Sequence, residues 1–193
     1  MAGYGYIRFG CFLRGKRNAG RQIKRGGKVM KESLLIIGAG QYGAVALEVA
    51  QSMGCFEKIG FLDDNNDKAL GKLEKYKDLI GEYTYAFVAI GKNNFRMEWL
   101  KKLKAAGYKI HPLISPMASV SSTARIGAGS IIEPMAVVQP NAYVGKGCLI
   151  CAGAVVKHNS HVSDGCHIDS NAVVIPRAVV PSGTKVESCK VFA

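Results

Sequence analysis

No apolar run in the 193-residue chain approaches the ~18–20 residues that a membrane-spanning helix needs, so no membrane span and no membrane partner are expected. The opening MAGYGYIRFGCFLRGKR lacks the apolar segment of a secretory signal. The six cysteines are scattered and do not form the framework of a small disulfide-stapled domain. Without an export signal, reduced thiols and a cytoplasmic location are expected. Acidic residues are missing from positions 1–31, which hold nine Lys/Arg and so carry +9 of the +12 net charge. The remaining 162 residues are near balance at +3, so the basic excess is no general nucleic-acid footprint. The Gly-rich basic block shows no hydrophobic period. Residues 1–29 therefore read as a tail, disordered or non-native, ahead of Met30. An RNA- or membrane-binding arm is the alternative. Histidine is also scarce, yet three of the four, His158, His161 and His167, fall within ten positions.

The second half carries a different signal. From Ile114, every sixth residue through Val186 is Ile or Val. Four residues after each comes a small side chain, from Ala118 to Thr184, and only Lys190 breaks the rule. A strand repeats by two and a helix by 3.6, so a period of six means short strand, turn, short strand, turn. Three hexapeptides close one triangular coil. The branched aliphatic fills the interior, and the small residue sits near a corner where the walls converge. Coils stack by parallel hydrogen bonding at ~4.8 Å. The result is a parallel β-helix over residues 112–193, with Lys190 marking the end of the prism. Cys148 and Cys166 occupy small inward positions one coil apart, so they read as core residues rather than zinc ligands. His158, His161 and His167 all fall at outward positions on diverging faces. A metal cage of the three is not expected, and no metal site is assigned.

Residues 30–111 read as a small Rossmann-like α/β domain. Ser33–Gly38 is an apolar run suited to a buried parallel strand. Gly38-Ala39-Gly40-Gln41-Tyr42-Gly43 supplies G-x-G-x-x-G, and a helix follows to Met53. Lys58–Asp64 is a second strand, Tyr85–Ile90 a third, Asn93–Ala106 a helix and Tyr108–Ile114 a fourth strand. A glycine turn at a helix start offers amides to a phosphate. Four strands are too few for a dinucleotide and a hydride-transfer partner, so NAD is not expected. The glycines can also serve only to pack helix on strand.

The stretches LLIIGAGQYG, FVAIGKNNFR and AVVKHNSHVSDGCHI, in that order, resemble the hexapeptide-repeat sugar acetyltransferases of the sialic-acid O-acetyltransferase (NeuD-like) and bacillosamine-pathway N-acetyltransferase (PglD-like) family. The resemblance implies a left-handed β-helix, acetyl-CoA as acyl donor, a sugar or nucleotide-sugar acceptor and a homotrimer. It implies that the N-terminal domain binds the nucleotide sugar, with Gly38, Gly40, Asp63, Gly91, Asn93 and Arg96 at the rim. His158 matches the general base and Asn159 the residue that orients it. His167 matches a histidine contacting acetyl-CoA, and His161 matches nothing functional. Three departures stand out. Gln41-Tyr42 replaces Gly-His, Asn159 replaces Asp or Glu, and Pro176 replaces a glycine whose amide would face the thioester oxygen. Proline has no N–H to offer. The expected activity is acetyl transfer to a nucleotide-linked amino sugar or a sialic-acid-like sugar. The departures make a non-catalytic trimeric sugar-nucleotide-binding or scaffold member the alternative.

Overall fold

The computed structural model describes residues 32–193. The reading of residues 1–29 as a disordered or non-native tail lies outside the described residues. Within them, no helix is long and apolar enough to cross a membrane.

The N-terminal domain is a three-stranded parallel sheet ordered β2-β1-β3, with β1 at Glu32–Ile37, β2 at Phe56–Leu62 and β3 at Tyr85–Val88. Leu34, Leu35, Ile36 and Ile37 are all buried because helices cover both faces of the central strand. α1 spans Gln41–Met53 and α2 spans Asn93–Ala106. Each ends on a left-handed glycine, Gly54 or Gly107, whose amide satisfies a terminal helix carbonyl. The fourth strand expected at 108–114 is reduced to a single bridge between Tyr85 and Lys109. Tyr108 turns inward there, and its hydroxyl donates to the Tyr76 carbonyl at 2.6 Å.

From Leu113 onward the chain coils into a three-faced left-handed β-helix. Face one stacks Leu113–Ile114, Ile131–Ile132, Leu149–Ile150, His167–Ile168 and Lys185–Val186. Face two stacks Ser119–Val120, Val137–Val138, Val155–Val156, Val173–Val174 and Val191–Phe192. Face three stacks Arg125–Ile126, Tyr143–Val144, His161–Val162 and Val179–Val180. Each strand is two residues long, so one side chain points in and its neighbour out. The sixth-residue aliphatics and their small partners form one continuous buried column. Lys190 is exposed, and Phe192 packs against the end of that column.

The corner between faces three and one is a column of left-handed glycines, Gly129, Gly147, Gly165 and Gly183. α2 explains the glycine at three of them. A Cβ on Gly129 or Gly147 would sit 2.5 Å from a Leu100 methyl, and one on Gly165 would sit 2.8 Å from Met97. α1 covers face one, where Ala46, Val49 and Ala50 share a core with Leu113, Ile131 and Leu149. The N-terminal domain thus occupies face one and the adjoining corner, and leaves faces two and three open within one chain.

Candidate active site

His158 and Asn159 stand at the corner between faces two and three, both exposed. Asn159 has φ 58°, the left-handed conformation that asparagine tolerates better than most residues. Its amide N–H reaches the Pro140 carbonyl of the preceding coil at 3.1 Å. Its side-chain Nδ2 lies 3.0 Å from His158 Nδ1. The Gln139 side chain accepts from the His158 amide at 3.0 Å, which fixes the backbone from below. One coil further on, Pro176 occupies the same corner position as His158, and the Arg177 amide donates to the His158 carbonyl at 3.3 Å. Arg177 is exposed and left-handed, with φ 63°.

His167 lies on face one, with its side chain 15% exposed. Cys151 Sγ is 3.3 Å from its Nε2, and Asp169 Oδ1 is 3.8 Å from the same nitrogen. Burial pushes the His167 pKa down, against the pull of Asp169, so the ring is neutral at neutral pH. Beside it, Tyr42 of α1 donates to Glu133 Oε1 at 2.7 Å, and the Ala152 amide donates to Glu133 Oε2 at 3.0 Å. Glu133 is only 7% exposed, so this pairing satisfies a buried carboxylate at the domain junction. Burial, Cys151 and Glu133 all raise the Tyr42 pKa, which keeps the phenol protonated as a donor.

The glycine turn is built as expected but serves itself first. Gly38 has φ 100°, and a Cβ there would sit 2.9 Å from the Ala89 carbonyl oxygen. Gly43 has no room either, since a Cβ would approach the Gly38 carbonyl oxygen. Asp63 joins the turn, with Oδ2 accepting from the Ala39 amide at 2.7 Å and Oδ1 from the Asn65 amide at 2.8 Å. The Ala39 amide is therefore already satisfied within the chain. Gly40 is exposed and opens on a cleft of about 300 Å³, lined also by Ala44, Leu47, Phe61, Asn66 and Lys68. The cleft is mostly apolar, with Lys68 as its cation.

Asn93 and Arg96, expected at the ligand rim, form a latch between the domains in this structure. Arg96 is 0% exposed. Its Nε donates to Gly147 O at 2.7 Å, and Nη1 donates to Ile90 O and Gly91 O, each at 2.9 Å. Nη2 donates to Asn93 Oδ1, Gly165 O and Cys166 O at 2.8, 3.1 and 3.4 Å. A guanidinium has five N–H groups, and none remains for a ligand. Asn93 spends its other side-chain atom on the Gly183 carbonyl at 2.8 Å. Gly91 is exposed, but its carbonyl serves the same latch.

One chain therefore does not bring all the expected residues together. Gly38, Gly40 and Asp63 form one cluster, and His167 lies on face one. His158 and Asn159 occupy the corner opposite that face. Sequence reasoning missed Glu133, Cys151, Asp169, Asn66, Lys68 and Arg177. His167-x-Asp169 was open to detection, because Asp169 directly follows the short strand that carries His167. Cys151 was open to it too, 18 residues before Asp169 and hence one coil below. Tyr42 and Glu133 are 91 residues apart and carried no such signal.

Comparison with known proteins fits this architecture. Residues 33–103 match the family described as PglD N-terminal domain, and residues 123–158 match the bacterial transferase hexapeptide (six repeats). The acetyltransferase domain of PglB from Neisseria gonorrhoeae FA1090 superposes with TM-score 0.77 at 28% identity, over 84% of this chain and 91% of that one. The same domain in complex with acetyl coenzyme A gives 0.72 at 28% identity, over 83% and 93%. A mutant of GDP-perosamine N-acetyl transferase from Caulobacter crescentus, in complex with CoA and GDP-perosamine, gives 0.75 at 22% identity over 83% and 88%, which is a likeness of fold. With a PglD-type domain docked on a left-handed hexapeptide β-helix, the chain is similar in both of its parts to the hexapeptide-repeat sugar acetyltransferases.

Proposed function

We propose that the protein transfers the acetyl group of acetyl-CoA to a nucleotide-linked amino sugar or a sialic-acid-like sugar, in a site completed by a second copy of the chain. The observation that carries this reading is the placement of His158. It is an exposed imidazole on an outer corner, held by Asn159, and it lies across the prism from His167 and the N-terminal cleft. A neighbouring copy laid along face two or three brings His158 of one protomer toward face one of the other. The open faces suit such packing. Val137, Val155, Val173 and Val191 stack in register outward on face two, and Val191 is 64% exposed. Three copies about an axis, a homotrimer, satisfy every such face equally.

Chemically, the acceptor amine or hydroxyl gives its proton to His158 Nε2 as its lone pair attacks the thioester carbonyl. The tetrahedral intermediate then expels the CoA thiolate, which takes the proton back from the imidazolium. For this, Nε2 must be unprotonated, so Nδ1 carries the hydrogen. Rotating the Asn159 amide presents Oδ1 to Nδ1–H, at the cost of the contact now made by Nδ2. Asparagine orients the ring this way but adds no negative charge to stabilise the imidazolium. The acceptor nucleotide sugar is assigned to the cleft by Gly40, with Asn66 and Lys68, and acetyl-CoA to the groove by His167. Gly38 and Asp63 shape the turn beneath the acceptor.

Mixed oligomers test the composite site. His158→Ala and His167→Ala, each purified alone, should be inactive in a coupled assay of free CoA thiol with amino-sugar nucleotides. Co-expressed, they form some interfaces carrying both native residues and should recover a measurable fraction of wild-type rate. If mixed oligomers stay as inactive as the parents, the two residues do not act across an interface.

A further inference from the structure

Three metal-ligating side chains converge on face one, and only one of them, His167, comes from the three-histidine cluster that the sequence displays. Cys151 Sγ, His167 Nε2 and Asp169 Oδ1 all lie within 4.8 Å of one another. The β-helix builds the arrangement. His167 is the outward residue of the two-residue strand His167–Ile168, and Asp169 directly follows the end of that strand. The Cys151 amide donates to the Ile168 carbonyl at 2.9 Å, which sets Cys151 beside Asp169 one coil below. We propose that this triad binds a single borderline-soft divalent cation of the zinc class, leaving one coordination position open.

The geometry supports the assignment. Zinc ligands at ~2.0–2.3 Å in a tetrahedron lie about 3.3–3.6 Å from each other. The Sγ–Nε2 separation is 3.3 Å, the Nε2–Oδ1 separation 3.8 Å and the Sγ–Oδ1 separation within 4.8 Å, so Sγ and Nε2 already stand at ligand spacing and any closing shift falls on Oδ1. Both close contacts are made to the same ring nitrogen, His167 Nε2. A cysteine–histidine–aspartate catalytic relay would instead use both nitrogens of the ring, with the carboxylate on Nδ1. The site is enclosed on its protein side: Cys151 is 4% exposed, and the His167 and Asp169 side chains 15% and 22%. The outer partners are in place as well. Asp169 Oδ2 faces Lys185 Nζ at 3.4 Å, which leaves Oδ1 toward His167. The Ser170 amide donates to Oδ1 at 2.8 Å and orients it. One thiolate and one carboxylate neutralise a divalent charge, and imidazole completes a mixed S, N, O set that favours zinc over magnesium or calcium. On binding, the thiol proton leaves to solvent as the metal–sulfur bond forms.

The test uses cobalt(II) as a spectroscopic stand-in for zinc on the full chain. One equivalent should produce a thiolate-to-cobalt charge-transfer band and tetrahedral visible bands, and zinc should bleach both. Cys151→Ser keeps the size of the side chain and should abolish the charge-transfer band. Its affinity for zinc should fall by more than the ~10–100-fold that outer-sphere changes cost. Asp169→Asn should weaken binding while keeping the band. His158→Ala and His161→Ala should bind as the wild type does. Absence of the band in wild type, its persistence in Cys151→Ser, or its loss in His161→Ala would each overturn the assignment. The readout is independent of acetyl transfer, so it stands or falls separately from the proposed function.

Discussion

Replacing Arg96 by methionine keeps much of the buried volume and removes every hydrogen bond the guanidinium makes. Six oxygens lose a donor, and their environments decide the cost. Cys166 O still accepts from the Leu149 amide at 2.9 Å. The bonds to Ile90 O, Gly91 O and Asn93 Oδ1 are only partly buried, so water can replace them. The bonds to Gly147 O and Gly165 O are buried. An orphaned buried carbonyl costs about 1–3 kcal/mol, so the two together set a loss of about 2–6 kcal/mol. Burial lowers the Arg96 pKa, which records a desolvation cost that the methionine escapes. The net loss therefore belongs in the lower half of that range, about 3 kcal/mol. Urea unfolding followed by far-ultraviolet circular dichroism measures it. Because Arg96 joins α2 to the glycine corner, the N-terminal domain should unlatch first and split one transition into two. Hydrogen exchange in α2 should quicken accordingly. A single transition shifted by less than ~1 kcal/mol would refute the latch.

Other expectations concern the site. His158→Ala should lower the acetylation rate at least ~100-fold, the usual worth of a positioned base, while gel filtration and circular dichroism stay unchanged. Asn159→Asp should raise the maximal rate, because a carboxylate fixes Nδ1–H and stabilises the cation formed; an unchanged or lower rate would remove Asn159 as the weak link. Burial depresses the pKa of both His111 and His167. A histidine depressed on folding contributes its full stability above its ordinary value of ~6.5 and loses it as pH falls toward the folded-state value. Thermal stability should therefore drop below about pH 6.5, and the His111→Gln, His167→Gln double variant should flatten that acid slope.

The period of six was the most legible feature of the chain, since it follows from sterics inside a narrow prism. Every expected aliphatic from Ile132 to Val186 is buried, and Ser130, Cys148, Ser160 and Cys166 fill the small sites. Asn93 and Arg96 were not legible. GKNNFR reads as a turn opening a helix, and the partners of Arg96 are backbone carbonyls of Gly147, Gly165 and Cys166, which leave no mark on side-chain identity. The fourth strand failed for a related reason. Tyr108 has strand propensity, but its hydroxyl finds Tyr76, and the segment joins the sheet edge only through the one bridge at Lys109. Asp63 lies beside the glycine turn, and spacing alone did not reveal that one of its oxygens satisfies a turn amide, that of Ala39.

The coil length also fixes what Pro176 means. Nine residues is half of an 18-residue coil, so His167 falls across the prism from His158, and Pro176 returns to stack on His158. If His158 is the base, the thioester oxygen lies near this corner, where an amide at position 176 would face it. Proline withholds that amide, and the next amide, of Arg177, is already given to the His158 carbonyl. One local cation is the exposed Arg177, a left-handed residue one coil beyond Asn159. If it takes over the oxyanion, Arg177→Ala should lower kcat by ~10²–10³-fold, the worth of one such donor, with little change in KM for the sugar. Pro176→Gly restores an N–H and should rescue part of that loss, at about 1 kcal/mol in stability from the freer unfolded chain. Full activity in Arg177→Ala would show that Arg177 does not meet the charge on oxygen.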